Sequence, residues 1–297
     1  MIELNCQHER INRVAIRSSR PLQLTHLFEG KPVDELLGMV PMLYSVCATA
    51  QACAAAQACR QAMDIAKNIQ VELAETMLVT VETAREHLWR ILIDWSNQVG
   101  APINRALVAS LSNLLPQAKH ACFKDGDLFT LQPSLKFDQE SFSSVIEQIS
   151  KTADDSIFSL SPGKWYAKAT IEEFDAWLDA TSTPASRLLR HLRDNQSGEL
   201  ADAGCNPLPT IEATAICQRL AQQDADRFIA APDWEGAVYE TTPLTRMISH
   251  PLLQQLTKRY GFGLLTRMVA RLLELASIPA RLNAQVEALT SNRVEAE

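Results

Sequence analysis

The stretch "MLYSVCATAQACAAAQACRQAMDIAKNIQVELAETMLVTVETAREHLWRILIDWSNQV", residues 42–99, holds neither glycine nor proline in 58 residues. Pro41 and Gly100 bound it. A run of that length escapes both backbone breakers when it is helical, so its reading decides the fold class. A single helix here would extend about 85 Å at 1.5 Å per residue. A compact chain of this size has a radius of gyration of roughly 19 Å, and so long a rod would protrude from it. Two long helices packed back to back are expected instead, with a break near Lys67–Asn68. In the second, Ala74, Met77, Leu78, Val81, Ala84, Leu88, Ile91, Leu92 and Trp95 recur at steps of three or four and mark the buried stripe. Glu82, Glu86 and Arg90 step along another face, where such i,i+4 pairs contribute only about tenths of a kcal/mol each.

The first helix is alanine-rich from 48 to 62, which lets a neighbouring backbone approach closely. It also carries Cys47, Cys53 and Cys59, six residues apart. Six residues rotate a helical side chain by about 240°, so the three thiols point to different faces and share no cage. Cys47 stands at the helix start, where backbone N–H groups favour a thiolate, the form that ligates metal. Cys53 and Cys59 read as packing residues, since free cysteine is usually a small buried hydrophobe. Cys205, in "AGCNPLP", falls in a loop and is expected to be exposed.

Outward from that stretch the pattern stays helical. Residues 10–24 alternate weakly and suggest one or two strands. Pro32 opens a short helix over 33–39, and another is expected over 103–115. A less regular stretch, 116–138, follows, with "DLFTLQ" (127–132) as a candidate strand. Residues 139–153 read as helix. Thr170 and Glu173 form a capping box that starts a helix to about 181, and Thr183-Pro184 starts another that ends near Asn195. The stretch 195–209 is the best linker by composition. Helices are expected over 210–222, 242–258 and 261–290, with the polar tail 291–297 frayed. The fold class is mainly α, with a small β element near the N-terminus.

The net charge of −7 argues against nucleic-acid binding, which needs a basic footprint. No window approaches the roughly 18 uninterrupted apolar residues of a membrane span, and the opening residues do not read as a secretory signal. Seven scattered cysteines suggest reduced thiols and a cytoplasmic protein. No CxxC, HExxH, GxGxxG or phosphate-loop pattern occurs. The six histidines, His8 among them, are dispersed and none pairs with another ligand at metal spacing. Near the C-terminus Arg246, Arg267, Arg271 and Glu274 form a charged set; the last three share a helical face and read as salt-bridged and solvated. "WEGAVYETTPLTR" (234–246) combines Trp, Glu, Pro and Arg where a loop leads into a helix, a common place for binding groups.

At "VPMLYSVCATAQACAAAQA" the chain resembles the large subunit of nickel–iron hydrogenases, and more closely its maturation paralogue, the HupK/HoxV family. The hydrogenase pattern is Arg-x-Cys-Gly-x-Cys with a histidine four residues on, at the start of an alanine-rich helix. Cys47 aligns with the second cysteine, Tyr44 with the first and Gln51 with the histidine. The Cys-x-x-Ala-Gln form looks like the maturation paralogue. "AREHLWRILIDWSNQVG" (84–100) is similar to the family's long helix. "WEGAVYETTPLTR" with "LLTRMVARLLEL" resembles the Gly-Pro-Leu-Ala-Arg segment and Arg-rich helix near the large subunit's end. The resemblance implies one large-subunit-like helical bundle across 1–297, with 195–209 as a candidate linker. A nickel–iron site needs four cysteines from two Cys-x-x-Cys motifs; one is kept here and "SNRVEAE" has none, so neither nickel nor hydrogen turnover is expected. What the resemblance implies is a non-catalytic scaffold or chaperone of hydrogenase maturation that holds the Fe(CN)2(CO) fragment. Cys47 would be the iron ligand, with Tyr44, Gln51 and Arg246 lining its pocket. Its partners would be HypC-type and HypD-type maturation proteins and the hydrogenase large-subunit precursor. The alternative is a metal-free helical protein that docks those factors; a thiol enzyme using Cys47 or Cys205 is the third class.

Overall fold

A computed structural model describes residues 1–7, 10–17, 21, 24–123 and 128–294, with side chains through 291. His8 lies outside the described residues. The chain forms two compact units, one of Met1–Pro32 with Pro209–Tyr239, the other of Val33–Leu208 with Glu240–Glu297. The boundary at Leu208 falls at the end of the candidate linker, 195–209.

The smaller unit holds an antiparallel hairpin, β1 Ile2–Gln7 and β2 Arg10–Ile16, registered from Ile2↔Ile16 to Gln7↔Arg10 with an irregularity between Asn5 and Cys6. A 3-10 turn, Leu24–Phe28, follows. None of the unit's described residues is buried.

The larger unit begins with α1 Val33–Leu43, α2 Ala48–Ala62 and α3 Ile69–Trp89. The break falls where it was expected: Asn68 caps α3, its side chain accepting from the N–H groups of Gln70 and Val71 at 3.1 and 3.2 Å. α3 runs into a wide π turn, Arg90–Trp95, and a short α4, Ser96–Gln98. Next come α5 Arg105–Ser110 and α6 Leu114–Cys122, the latter running into the stretch 116–138 that was expected to be less regular. Pro116 sits in the first turn of α6, where a missing N–H costs nothing. Residues 128–132 are turn and bend rather than strand, and Asp127 lies outside the described residues.

α7 Gln139–Ala153, capped by Asp138, passes into a second π turn, Asp154–Phe158. α8 Pro162–Tyr166 is short and starts on its proline. α9 Ile171–Ala180 starts at the Thr170–Glu173 capping box, and α10 Pro184–Asp194 at Thr183. α11 Ala213–Leu220 and α12 Ala225–Ala230 belong to the smaller unit, where Arg219 pairs with Asp224 at 2.7 Å. The expected helix 242–258 is two pieces, α13 Pro243–Met247 and α14 Pro251–Tyr260, because Pro251 restarts the chain. Gly261, at φ +58°, turns the chain into α15 Leu264–Val294; a Cβ there would collide with the Asp202 carboxylate. Of the tail expected to fray, 291–294 continue α15 and 295–297 lie outside the described residues.

α15 is the axis of this unit, packing against α3, α7, α8, α13 and α14. Leu265, Val269, Leu272, Leu273, Leu275, Ile278 and Leu282 are fully buried along it. An aromatic set closes one flank: Trp165 stacks on Phe158 at 4.7 Å and meets Trp177 edge-on at 5.3 Å. The Trp177 indole N–H donates to the Phe158 carbonyl at 2.8 Å, so that buried donor is satisfied. Among the described residues no helix is long and apolar enough to cross a membrane.

Candidate functional site

Cys47 is the N-cap residue of α2, and its exposed thiol makes no capping bond. The capping work is done from α3. Glu82, which is buried, accepts from the N–H of Thr49 through Oε1 and of Ala50 through Oε2, each at 2.9 Å. Those are the second and third helical positions, the donors that an N-cap side chain ordinarily satisfies. Two expectations change as a result. Glu82 is a buried acceptor rather than one member of a weak i,i+4 pair, and these α2 donors are turned to a carboxylate rather than to the Cys47 sulfur.

Close packing makes this possible. Ala52, Cys53 and Ala56 are buried against α3, and their small volume brings the helices near enough for a short carboxylate side chain to bridge. Seven residues before Glu82, and so on the same face, the fully buried Glu75 is held by Arg60. Arg60 donates to both Glu75 oxygens at 2.7 and 3.0 Å and to the carbonyls of Thr130 and Leu131 at 3.0 Å each. Lys119 of α6, half-buried over the Phe129 ring at 5.0 Å, has its pKa lowered by burial, opposed by the Glu82 carboxylate. Arg85, one turn beyond Glu82, makes a long 3.5 Å bond to the carbonyl of Val46, next to Cys47. It also pairs with Glu86 at 2.9 Å and lies 4.7 Å from the Trp89 ring centroid.

Of the expected pocket residues, Tyr44 and Gln51 flank Cys47 along the chain. Tyr44 is half-buried just after α1; Gln51 is exposed one turn into α2, its N–H bonded to the Cys47 carbonyl at 3.0 Å. Arg246 belongs to a different set. Its guanidinium pairs with Glu274 through Nε and, at 2.9 Å, through Nη2. His87 Nε2 stands 2.7 Å from the same carboxylate. Arg246 also lines a cavity of about 360 Å³ with Tyr166, Ser249 and His250, and Cys47 is not part of that lining.

Glu274 is almost fully buried; desolvation pushes its carboxyl up, but hydrogen bonds from Arg246 and His87 outweigh that and hold it at about 2. Burial pushes the His87 imidazole below its ordinary 6.5, against the opposing pull of Glu274, so the ring is neutral at pH 7. A neutral ring facing a carboxylate carries its proton on Nε2, which leaves the buried Nδ1 without a partner. The solvated face expected for Arg267, Arg271 and Glu274 is therefore corrected: Glu274 is interior, Arg271 half-buried, and Arg267 pairs with Glu240 at 3.1 Å. The usable signal was the setting "LLELA", apolar on every side of Glu274, which a solvated face would not show.

The remaining thiols separate by environment. Burial pushes Cys53 up to about 12, with Glu75 and Glu82 adding to it, and burial alone pushes Cys122 to about 12. Cys59 is raised by burial as well. Cys205, expected in the open, is half-buried beside Glu240, and burial and that carboxylate push it up to about 11. Cys6 and Cys217, in the smaller unit, are exposed like Cys47. Among the described residues no three His, Cys, Asp or Glu side chains gather as a metal site.

No protein-family model matches the chain. Over 108 residues it is 33% identical to the hydrogenase expression/formation protein HupV of Azotobacter chroococcum mcd 1. It is 34% identical over 109 residues to the hydrogenase expression/formation protein HupK of Azotobacter vinelandii, and 29% over 107 residues to that of Rhizobium leguminosarum bv. viciae. The matches cover 36%, 36% and 33% of this chain, and 31%, 32% and 29% of those proteins. The chain thus spans about a third of the length of the curated relatives it matches. Over that third it is similar to HupK-type hydrogenase expression/formation proteins, and the resemblance to that maturation family is borne out.

Proposed function

We propose that this protein acts in nickel–iron hydrogenase maturation as a non-catalytic scaffold that holds the Fe(CN)2(CO) fragment as cargo, with Cys47 as its iron ligand. The observation that carries this reading is the state of the Cys47 thiol: exposed at the start of α2, with no capping bond. The similarity to hydrogenase expression/formation proteins supplies the context. A low-spin iron already carrying three strong-field diatomic ligands needs few protein donors, and a soft thiolate is a suitable one. Among the thiols of the larger unit Cys47 is the exposed one, whereas Cys53 and Cys122 are held protonated in the interior. Tyr44 and Gln51 flank it and would shield or hydrogen-bond the bound fragment. Arg85 reaches the Val46 carbonyl, next to Cys47 in the chain, at 3.5 Å. HypC-type and HypD-type proteins would deliver the cargo and the large-subunit precursor would receive it. The large-subunit likeness of the bundle belongs to the same proposal.

The test is infrared spectroscopy of the protein purified after co-expression with the maturation factors. Cyanide and carbonyl stretching bands are expected, and Cys47→Ala should abolish them. Bands that persist in Cys47→Ala would remove Cys47 from the site. An absence of bands, with full hydrogenase assembly supported by Cys47→Ala, would leave the metal-free docking protein as the function.

A further inference from the structure

The two wide π turns of the larger unit, Arg90–Trp95 and Asp154–Phe158, stand against each other. Between them and the starts of α5 and α10 lies a cavity of about 300 Å³. Leu92 lines it from the first turn, and Ser96 follows at the head of α4. Asp155 and Ser156 line it from the second turn, which Ser159 closes in the left-handed region at φ +55°. Such wide turns recur at functional sites, and here two of them wall one cavity.

Ser96 is the residue that packing alone does not account for. It is 2% exposed, yet its hydroxyl makes no hydrogen bond among the described residues. A buried serine in a helical turn can bond back to the carbonyl one turn earlier, and Ser96 does not. A buried hydroxyl left alone is unfavourable, so a partner is expected from within the cavity that Ser96 lines.

We propose that this cavity binds a small neutral polyol, a monosaccharide or sugar alcohol, with Ser96 as its most deeply buried contact. The lining sets that class. Asp155 is the one charged side chain among the described residues that line it, and Lys151 pairs with it at 2.8 Å. An anion would meet a carboxylate there, and a cation would find that carboxylate already answered. No aromatic ring is among the described lining residues, so a flat base would have nothing to stack on. What remains is a set of hydroxyls, those of Ser96, Ser156, Ser159 and Ser182, none of them bonded among the described residues. Asp155 adds its unpaired Oδ1, and Asn104 adds its amide N–H groups, since its Oδ1 caps α5 at the Leu107 N–H. A hydroxyl both donates and accepts, so a molecule carrying several hydroxyls matches this set. Leu92, Leu107 and Val108 offer apolar surface to its C–H face. The volume suits one sugar ring, at the small end of ligand sites. Binding here needs no thiol and stands apart from the Cys47 reading.

Saturation-transfer NMR of the full-length protein with glucose, ribose, myo-inositol and sorbitol tests this, with gluconate and glucosamine as charged counterparts. At least one neutral compound is expected to bind saturably at millimolar concentration or below, and the charged ones more weakly. Ser96→Ala should weaken that binding about fivefold, the effect of one neutral hydrogen bond. Asp155→Ala should weaken it about tenfold, because a charged acceptor is lost. Ser96→Ala removes no hydrogen bond from the free protein and should keep its melting temperature. Should it not, Ser182→Trp, which fills the cavity from an exposed position, must abolish the same binding. No saturable binding by any neutral compound, tighter binding of gluconate or glucosamine, or binding indifferent to these substitutions would overturn the proposal.

Discussion

α3 meets charge on two sides, and the two are settled differently. Toward α2, Glu75 and Glu82 lie in a dry interface, and each is answered from within the fold, one by Arg60, the other by two backbone N–H groups. Toward α15, His87 and Arg246 bind Glu274 directly, while Arg271, unbonded among the described residues, feels Glu274 and Asp94 only through space. A buried charge survives only where donors or counter-charges replace the lost water. The first side is complete and serves to fix how α2 lies along α3. The second satisfies Glu274 in the same way but leaves Arg271 beside it without a direct bond among the described residues.

The largest expected effect is on the complete side. Glu82→Ala orphans the N–H groups of Thr49 and Ala50 and removes the carboxylate that faces Lys119. Unsatisfied buried donors cost about 1–3 kcal/mol each, so a loss of about 3 kcal/mol is expected in urea unfolding. A loss below about 1 kcal/mol would mean that helix packing alone holds α2 in place.

The middle effect lies in acid. Native Glu274 titrates at about 2, against an ordinary 4.5. Between those values the unfolded chain binds the extra proton. The contribution of Glu274 is therefore fully present above about pH 4.5 and is lost as pH falls toward 2. His87 and His250 are both pushed below 6.5 by burial, so the unfolded chain also takes up their protons first. Stability should thus begin to fall below about pH 6.5 and fall again below 4.5. Glu274→Gln should cost about 2 kcal/mol at neutral pH, since bonds to charged groups are worth about 1.5–3 kcal/mol. It should also flatten the lower limb in melting curves recorded from pH 2 to 8. A lower limb unchanged by Glu274→Gln would show that other carboxylates set it.

How much of this was legible in the sequence follows from how local each feature is. The Asn68 break, the Thr170–Glu173 box and the Thr183-Pro184 start depend on a few adjacent residues, and all are found where expected. α6 and the split at Pro251 were missed because a proline's effect depends on whether it falls in a first turn or an interior one, which local composition does not decide. The π turns have no local signature at all. Around the candidate site, Cys47 at the head of an alanine-rich helix was readable. Glu82 was not: its spacing suits a surface face, and only the N-terminus of a helix over thirty residues earlier in the chain makes its burial tolerable. The ion pair of Arg246 with Glu274 joins residues 28 apart in sequence, which local pattern does not reveal.

The smallest effect is the most discriminating. Arg271→Met keeps an unbranched apolar stem, removes the desolvated charge, and ends its repulsion from Arg90 and Arg246 along with its attraction to Glu274 and Asp94. With no hydrogen bond to lose, stability should hold or rise by about 0.5 kcal/mol, the scale of substitutions away from specific contacts. Arg246→Met should destabilise, because it strips Glu274 of its cation and leaves a buried carboxylate with His87 alone. The two substitutions are chemically identical, and they sit on the same seam within reach of the same carboxylate. Opposite signs would show that one arginine belongs to the fold and that the other is kept at a cost to it. Equal losses would mean that Arg271 has a partner inside the chain, and the two sides of α3 would no longer differ.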